Sequence, residues 1–520
     1  MTAADNKKAT MTNKQPLKKS LTLFTILLVI VLLAGMVGCT STDSQAATQQ
    51  PAANESATPG IAMEDCQLSP PGSPLRMPAR CGKLAVYEDR AEGSGRQIEL
   101  NIALIPAVSR NPAPDPLFFL AGGPGQAATE TFPQLSFAFN RINQKRDIVL
   151  VDQRGTGRSH PLTCPQTEEM KKNDAPDFTP LLKACLASLD ANPALYTTSI
   201  AMDDLDQVRD AMGYEKINLY GVSYGTRAAL TYLQQHPSHV RSLILDGVVP
   251  QQAALGLNVA RDAQRALDLA FERCAAQTDC AQAFPDPSAD FNSLLSQLQN
   301  DPVDVSLPDP TSGQMTEVNF TPEKLGSAVR LLSYAPETAA LLPLLVHTAQ
   351  VRQNFGLLAA QYLVVAGQLT SSINDLMGYS VLCAEDVPFI NAQQAKQANA
   401  GTYLGDQQTD ELFKICQVWP RGAIPAGFKN PVRSDVPVLL LSGEADPVTP
   451  PSNAQEVAQT LPNSLLLVAS GQGHNVIYRG CLPVVAADFI EKGSLQNLDT
   501  TCVQEIQATP FFVNFNGPSE

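Results

Sequence analysis

The sequence predicts an α/β protein: a mostly parallel sheet with helices on both faces, into which a large helical cap is inserted. Three observations predict it. Short, continuous apolar runs recur along the chain, among them Leu117 to Leu120, Asp147 to Val151, Ile217 to Tyr220, Ser242 to Leu245, Val438 to Leu441 and Leu465 to Val468. Runs of that length without polar alternation mark strands covered on both faces, as in parallel sheets. Helical patterns such as Ala201 to Met212 lie between them, and alternation of strand and helix is the mark of α/β architecture. The alternation then stops from about Gln251 to Asn430, where helical patterns dominate.

Each part follows from its local pattern. Residues 61–250 and 431–520 are expected to form the core, and 251–430 the cap. Ile98 to Ile105 reads as a further core strand. In the cap, Val259, Ala263, Ala266, Leu267, Ala270, Phe271 and Cys274 form an apolar stripe at helical spacing. Thr321-Pro322 reads as a helix start, with a capping hydroxyl and proline in the first turn. Leu331 to Gln350 and Asn354 to Val365 read as helical, punctuated by Pro336 and Pro343. No internal repeat is evident.

The N-terminus carries an address. Lys7, Lys8, Lys14, Lys18 and Lys19 precede the apolar run Leu21 to Met36, the pattern of an export signal. The run ends in Met36-Val37-Gly38-Cys39, which resembles a bacterial lipobox with methionine in place of the usual leucine. That resemblance implies cleavage before Cys39 and a lipid on its sulfur, so that residues 1–39 are a signal and the membrane is a partner. An uncleaved transmembrane anchor is the alternative, because the run is nearly long enough to span a bilayer. Residues 40–60, rich in Ser, Thr, Ala, Gln and Pro, read as a flexible tether.

Composition narrows the function classes. With 44% hydrophobic and 17% charged residues over 520, the chain can bury a sizeable core. A net charge of −15 argues against nucleic acid, whose binding rests on Lys and Arg. It favours cationic over anionic ligands. Eleven cysteines less Cys39 leave ten, an even number that favours disulfides in an exported chain. They fall as local pairs, Cys66 and Cys81, Cys164 and Cys185, Cys274 and Cys280, Cys383 and Cys416, Cys481 and Cys502, although sequence does not fix connectivity. No CxxC or HxxxH spacing occurs, so no metal is expected, and no cofactor motif is present.

The chemistry centres on Gly221-Val222-Ser223-Tyr224-Gly225, between the strand Ile217 to Tyr220 and a helix from Thr226 to Gln235. A serine on a tight strand-to-helix turn is a nucleophile held in the open. Its general base should follow it in the chain. Only His347 and His474 do so, and His347 lies in a leucine-rich helical stretch. His474, in Gly471-Gln472-Gly473-His474 just past the strand Leu465 to Val468, is the expected base. Asp446, following the strand Val438 to Leu441, is the expected acid. Asp246 and Glu444 are its rivals. Ala121-Gly122-Gly123-Pro124-Gly125 follows the strand Leu117 to Leu120. The amides of Gly123 and Tyr224 are the expected oxyanion hole. Asp152 to Ser159 lacks a Walker lysine and does not match GxGxxG. It reads as a structural turn in which Arg154 braces loops near the site.

Gly-Gly-Pro-Gly, Asp-Gln-Arg-Gly-x-Gly-Arg-Ser and Gly-x-Ser-Tyr-Gly together resemble the proline iminopeptidase family of α/β-hydrolases, most closely over Asp204 to Thr226. Gly443 to Pro450, Gly471 to His474, Cys481 and Cys502 resemble the C-terminal region of bacterial tripeptidyl aminopeptidases. Together these resemblances cover most of residues 80 to 510, the cap most loosely. They imply an α/β-hydrolase fold and release of residues or short peptides from free N-termini through a Ser-Asp-His triad and an acyl-enzyme. Small prolyl enzymes carry histidine where this chain has Ala121, which sets it nearer the larger exported branch. Receiving a substrate's α-ammonium calls for carboxylates. Glu385 and Asp386, in a motif similar to one of that branch, are the expected ones. Trp419 either packs or lines the pocket. The expectation is thus a lipid-anchored serine aminopeptidase acting on short peptides. A carboxylesterase of the same fold is the alternative, and a catalytically silent binding lipoprotein a second rival.

Overall fold

A computed structural model describes residues 60–167, 170 and 178–518. The signal, Cys39 and the tether up to residue 59 lie outside the described residues. The described residues belong to one compact unit. Its strands run β1 (Glu64–Leu68), β2 (Met77–Tyr87), β3 (Gln97–Ile105), β4 (Leu117–Leu120), β5 (Ile148–Val151), β6 (Ile217–Val222), β7 (Val240–Asp246), β8 (Val303–Pro308), β9 (Met315–Phe320), β10 (Val438–Gly443) and β11 (Ser464–Ala469). Nine of these form one sheet in the order β1-β2-β3-β5-β4-β6-β7-β10-β11. The first three pairings are antiparallel. From β5 to β11 every pairing is parallel.

The continuous apolar runs explain where these strands sit. Every residue of β4, β5, β6 and β10 is buried. One apolar cluster, including Phe118, Leu219, Leu243 and Leu440, packs on one face of the sheet. Another, including Phe119, Tyr220, Ile244 and Leu441, packs on the other. Successive side chains of a strand point to opposite faces, so each of these strands feeds both layers. Edge strand β11 is less covered, with Val468 exposed.

Between β7 and β10 the chain builds a helical segment with a core of its own, centred on Leu267, Leu294, Leu325 and Leu345. The stretch from Leu331 is divided where its prolines fall, into helices Pro322–Leu332, Pro336–Ala339 and Leu342–Arg352. Proline is tolerated in a helix's first turn because the N–H it lacks has no intrahelical partner there. Strands β1 and β2 were not anticipated, nor was a hairpin in the cap. The antiparallel hairpin β8–β9 lies within this helical segment and packs Leu307, Val318 and Phe320 into its core. Five disulfides join the ten cysteines as 66–81, 164–185, 274–280, 383–416 and 481–502.

Because β4, β5, β6, β7, β10 and β11 are mutually parallel, the loops leaving their carboxyl ends gather along one edge of the sheet. Those loops are 121–127, 152–159, the turn at Ser223, Asp246–Gly247, 444–450 and 470–475. Ligands of open α/β sheets bind at that edge.

Candidate active site

Ser223 joins β6 to the helix Tyr224–Gln235 with φ +56° and ψ −126°. A non-glycine residue is strained there, and such strain persists only where the surroundings enforce it. The flanking glycines make the enforcement possible. A Cβ on Gly221 would lie 2.3 Å from the Gly225 carbonyl oxygen, and one on Gly225 2.2 Å from that of Leu120. The Ser223 amide donates to the Asp246 carbonyl at 2.9 Å, and its side chain remains half-exposed. The neighbouring Gly122 lies so close that a Cβ there would come within 3.2 Å of Ser223 Cβ. The Gly122–Gly125 loop therefore abuts the serine, as the expected oxyanion role of Gly123 and Tyr224 requires.

His474 is held by its own loop. Its Nδ1 lies 2.8 Å from Asp446 Oδ2, and both side chains are buried. Asp446 Oδ1 accepts from the amides of Val448 and Thr449 at 2.8 Å each. Burial alone would raise the Asp446 carboxyl. The charge and hydrogen bond of His474, with those amides, outweigh burial and hold it below its ordinary range. An ionised carboxylate only accepts, so His474 Nδ1 carries a proton on the side facing Asp446. Thr449 Oγ1 donates to Asp446 Oδ2 at 2.8 Å and lies 3.2 Å from His474 Nδ1. Sequence reasoning passed over Thr449. A hydroxyl three residues beyond a loop aspartate was the available signal.

The rivals are engaged elsewhere. Asp246 is fully buried and accepts from the amides of Val476 and Ile477 and from the Tyr220 hydroxyl at 2.9 Å. It thus holds the chain just past His474 rather than the imidazole. Burial raises its pKa to about 6. Glu444 accepts from Ser470 Oγ and the Gly471 amide. His347 pairs with Asp290 within the helical segment. Arg154 is fully buried, with the Nε–Nη2 edge of its guanidinium on Asp204 at 2.6 and 2.9 Å and Nη1 on the Glu88 and Leu195 carbonyls.

The segment between β7 and β10 reaches three of the site's loops. The His474 amide donates to the Tyr334 carbonyl at 2.7 Å, and the two rings meet edge to face. Arg265 donates to the Glu444 and Asp446 carbonyls at 2.9 and 2.7 Å. The Asn374 amide donates to the Gly125 carbonyl at 2.9 Å. None of these three residues was singled out from sequence. They act through tertiary contact, for which a single chain carries no periodic signal.

One expectation is corrected here. Glu385 and Asp386 were expected to face the substrate, and both are fully buried. Asp386 Oδ1 accepts from Arg227 at 2.7 Å, Lys429 at 2.9 Å and the Leu255 amide at 2.9 Å. Glu385 accepts from the Thr198 amide at 2.6 Å and the Thr198 hydroxyl at 2.8 Å. Thr198 Oγ1 in turn lies 2.6 Å from the hydroxyl of Tyr224, the residue after Ser223. The pair ties the inserted segment to the core and presents no surface to an ammonium group. Trp419 is also buried, its indole N–H donating to Ser380.

A strained serine at the end of β6, a histidine at the end of β11 and a carboxylate at the end of β10 lie on one sheet edge. With this topology they define the α/β-hydrolases, and the chain has that fold. The family described as "alpha/beta hydrolase fold" matches residues 115–334, and the family described as "TAP-like protein" matches residues 401–502. The chain is thus a serine hydrolase of α/β-hydrolase fold that carries an alpha/beta hydrolase region and a TAP-like C-terminal region.

Its relatives carry hydrolase and peptidase names. A "Serine protease Hip1" of Mycobacterium tuberculosis is 23% identical over 490 residues, 84% of this chain and 90% of that protein. A "Putative hydrolase YuaR" of Escherichia coli is 24% identical over 430 residues, 77% of this chain and 83% of that protein. A "Tripeptidyl aminopeptidase" of Streptomyces lividans is 31% identical over 229 residues, 40% of this chain and 42% of that protein.

Proposed function

We propose that the protein is an extracytoplasmic serine aminopeptidase that releases N-terminal residues, or short peptides such as tripeptides, from peptides with free N-termini. The observation that carries this reading is the 2.8 Å contact of His474 Nδ1 with a buried Asp446, on the same sheet edge as Ser223 at φ +56°. In the proposed reaction, Ser223 Oγ attacks the scissile carbonyl and His474 Nε2 takes its proton. The amides of Gly123 and Tyr224 stabilise the oxyanion. The imidazolium protonates the leaving amine, and water then resolves the acyl-enzyme by the reverse sequence.

The peptidase names of the relatives support peptide substrates. The contacts of Tyr334, Arg265 and Asn374 with the site's loops support a restriction to short chains, because the segment 251–430 stands against the site. The basic N-terminus, its apolar run and Cys39 support export and a lipid anchor facing the periplasm or the cell exterior. No helix among the described residues is long and apolar enough to cross a membrane.

The test is hydrolysis of matched chromogenic substrates: free prolyl, alanyl and tripeptidyl arylamides, their N-acetylated versions, and short-chain esters. Turnover of the free arylamides, abolished by acetylation and reduced about 10⁶-fold by Ser223→Ala, is the expected result. Turnover of esters alone would replace the reading with a carboxylesterase. No Ser223-dependent turnover of any substrate would leave a binding lipoprotein.

A further inference from the structure

We propose that Asp206, His236 and His239 form a binding site for a divalent transition-metal ion of the zinc type, at the end of helix Tyr224–Gln235 remote from Ser223. Asp206 lies on the helix Thr198–Ala211. His236 caps the C-terminus of helix Tyr224–Gln235, and His239 ends the short turn that leads into β7. The ion would therefore clamp two helices and the entry to a central strand.

Four observations carry the proposal. One ligand atom from each of the three residues lies within 4.8 Å of the others. His236 Nδ1 stands 3.7 Å from Asp206 Oδ2, too far for a hydrogen bond. It is close to the edge of a tetrahedron of zinc ligands, about 3.3 Å for bonds of about 2.0 Å. The two imidazoles are parallel to within 4°, their centroids 5.9 Å apart, so both present an edge to one carboxylate. The outer shell is also in place. Asp203 Oδ1 lies 3.0 Å from His236 Nε2, the carboxylate–histidine arrangement that turns the other ring nitrogen toward a metal.

Asp206 itself is fixed by the groups around it. Its Oδ1 accepts from Arg209 Nε at 2.7 Å and the Tyr232 hydroxyl at 2.8 Å, and lies 2.7 Å from His239 Nδ1. Its Oδ2 is the less engaged oxygen, with Arg209 Nη2 at 3.4 Å. The His236, His239 and Asp206 side chains are 20%, 32% and 18% exposed, open enough to admit an ion and a water as its fourth ligand. Sequence spacing missed the site because the histidines stand three apart, not four, and Asp206 precedes them by a whole helix and strand.

A helix of twelve residues spans about 18 Å, so an ion here acts on stability rather than on the acyl-transfer chemistry. The experiment uses the full chain, stripped with chelator and titrated with Zn²⁺ by calorimetry and with Co²⁺ by visible absorption. One equivalent of Zn²⁺, a tetrahedral-type Co²⁺ band and a rise in Tm with Zn²⁺ are expected. Affinity should fall at least tenfold in His239→Ala and in His236→Gln, with Ser223-dependent turnover unchanged. Absence of stoichiometric binding to the unaltered chain, or binding that survives both substitutions, would overturn the proposal.

Discussion

Two pairs of acidic residues near Ser223 meet opposite fates. On the sheet edge, Asp446 is buried against the His474 ring, and Asp246 is buried against backbone amides. In the inserted segment, Glu385 and Asp386 are equally buried but answer to Thr198, Arg227 and Lys429. All four carboxylates lie out of water, yet only Asp446 bonds a histidine side chain. Burial therefore does not mark a functional acid here. The partner does.

The largest effects separate the two sheet-edge acids. Asp446→Asn should lower kcat about 10⁴-fold, because an amide no longer fixes the imidazole tautomer. Asp246→Asn should lower kcat less than tenfold, since it holds the Val476 and Ile477 amides rather than the ring. Arylamide kinetics on the two variants decide the matter, and the opposite ranking would transfer the acid's role to Asp246.

The insertion's acids should speak through stability instead. Asp386→Ala leaves Arg227 buried without its partner, both side chains being 0% exposed. Breaking such a pair costs about 3–5 kcal/mol, which denaturant titration would read. A variant of unchanged stability whose KM rises only for substrates with free N-termini would restore Asp386 as the ammonium receptor.

Glu385 adds a pH signature. Burial first, then the neighbouring Asp386, raises its pKa to about 7. Its folded value thus stands above its unfolded one. The stability linked to its proton is complete below about pH 4.5, is lost as pH rises through about 7, and then levels off. Glu385→Gln keeps acceptor and donor groups toward Thr198. It should be more stable than the parent chain at pH 8, by at most about 3 kcal/mol, and gain nothing at pH 4. Equal gains at both pH values would mean that the carboxyl does not titrate in this range.

The same contrast explains what was legible in the sequence. Ser223, Asp446 and His474 could be picked out because each follows a strand by a few residues, and a parallel sheet brings strand ends together whatever lies between them. No such rule governs the insertion. The sequence places Glu385 and Asp386 beside Cys383 in the cap, but the surface that they meet is set by Arg227 and Thr198, more than 150 residues earlier. The hairpin β8–β9 was a different failure. Val303, Val305 and Leu307 alternate with polar residues, a period-two signal present in the chain and masked by the helices around it. The metal-type cluster combines both difficulties: a short spacing outside the usual patterns and a ligand from a distant helix.

The smallest effect tests how finely the sheet edge is tuned. Thr449→Val removes a hydroxyl that donates to Asp446 Oδ2 while keeping the side chain's shape. The two amides on Oδ1 still hold the carboxylate, so the loop should not collapse. What is lost is one hydrogen bond to a charged oxygen, worth about 1.5 kcal/mol, or about tenfold in kcat. Because Oδ2 also faces His474 Nδ1, the missing hydroxyl leaves the anion less stabilised and pulls the shared proton toward the carboxylate. The loss should appear in kcat while KM stays constant. A loss carried by KM instead would place Thr449 against substrate rather than behind the imidazole.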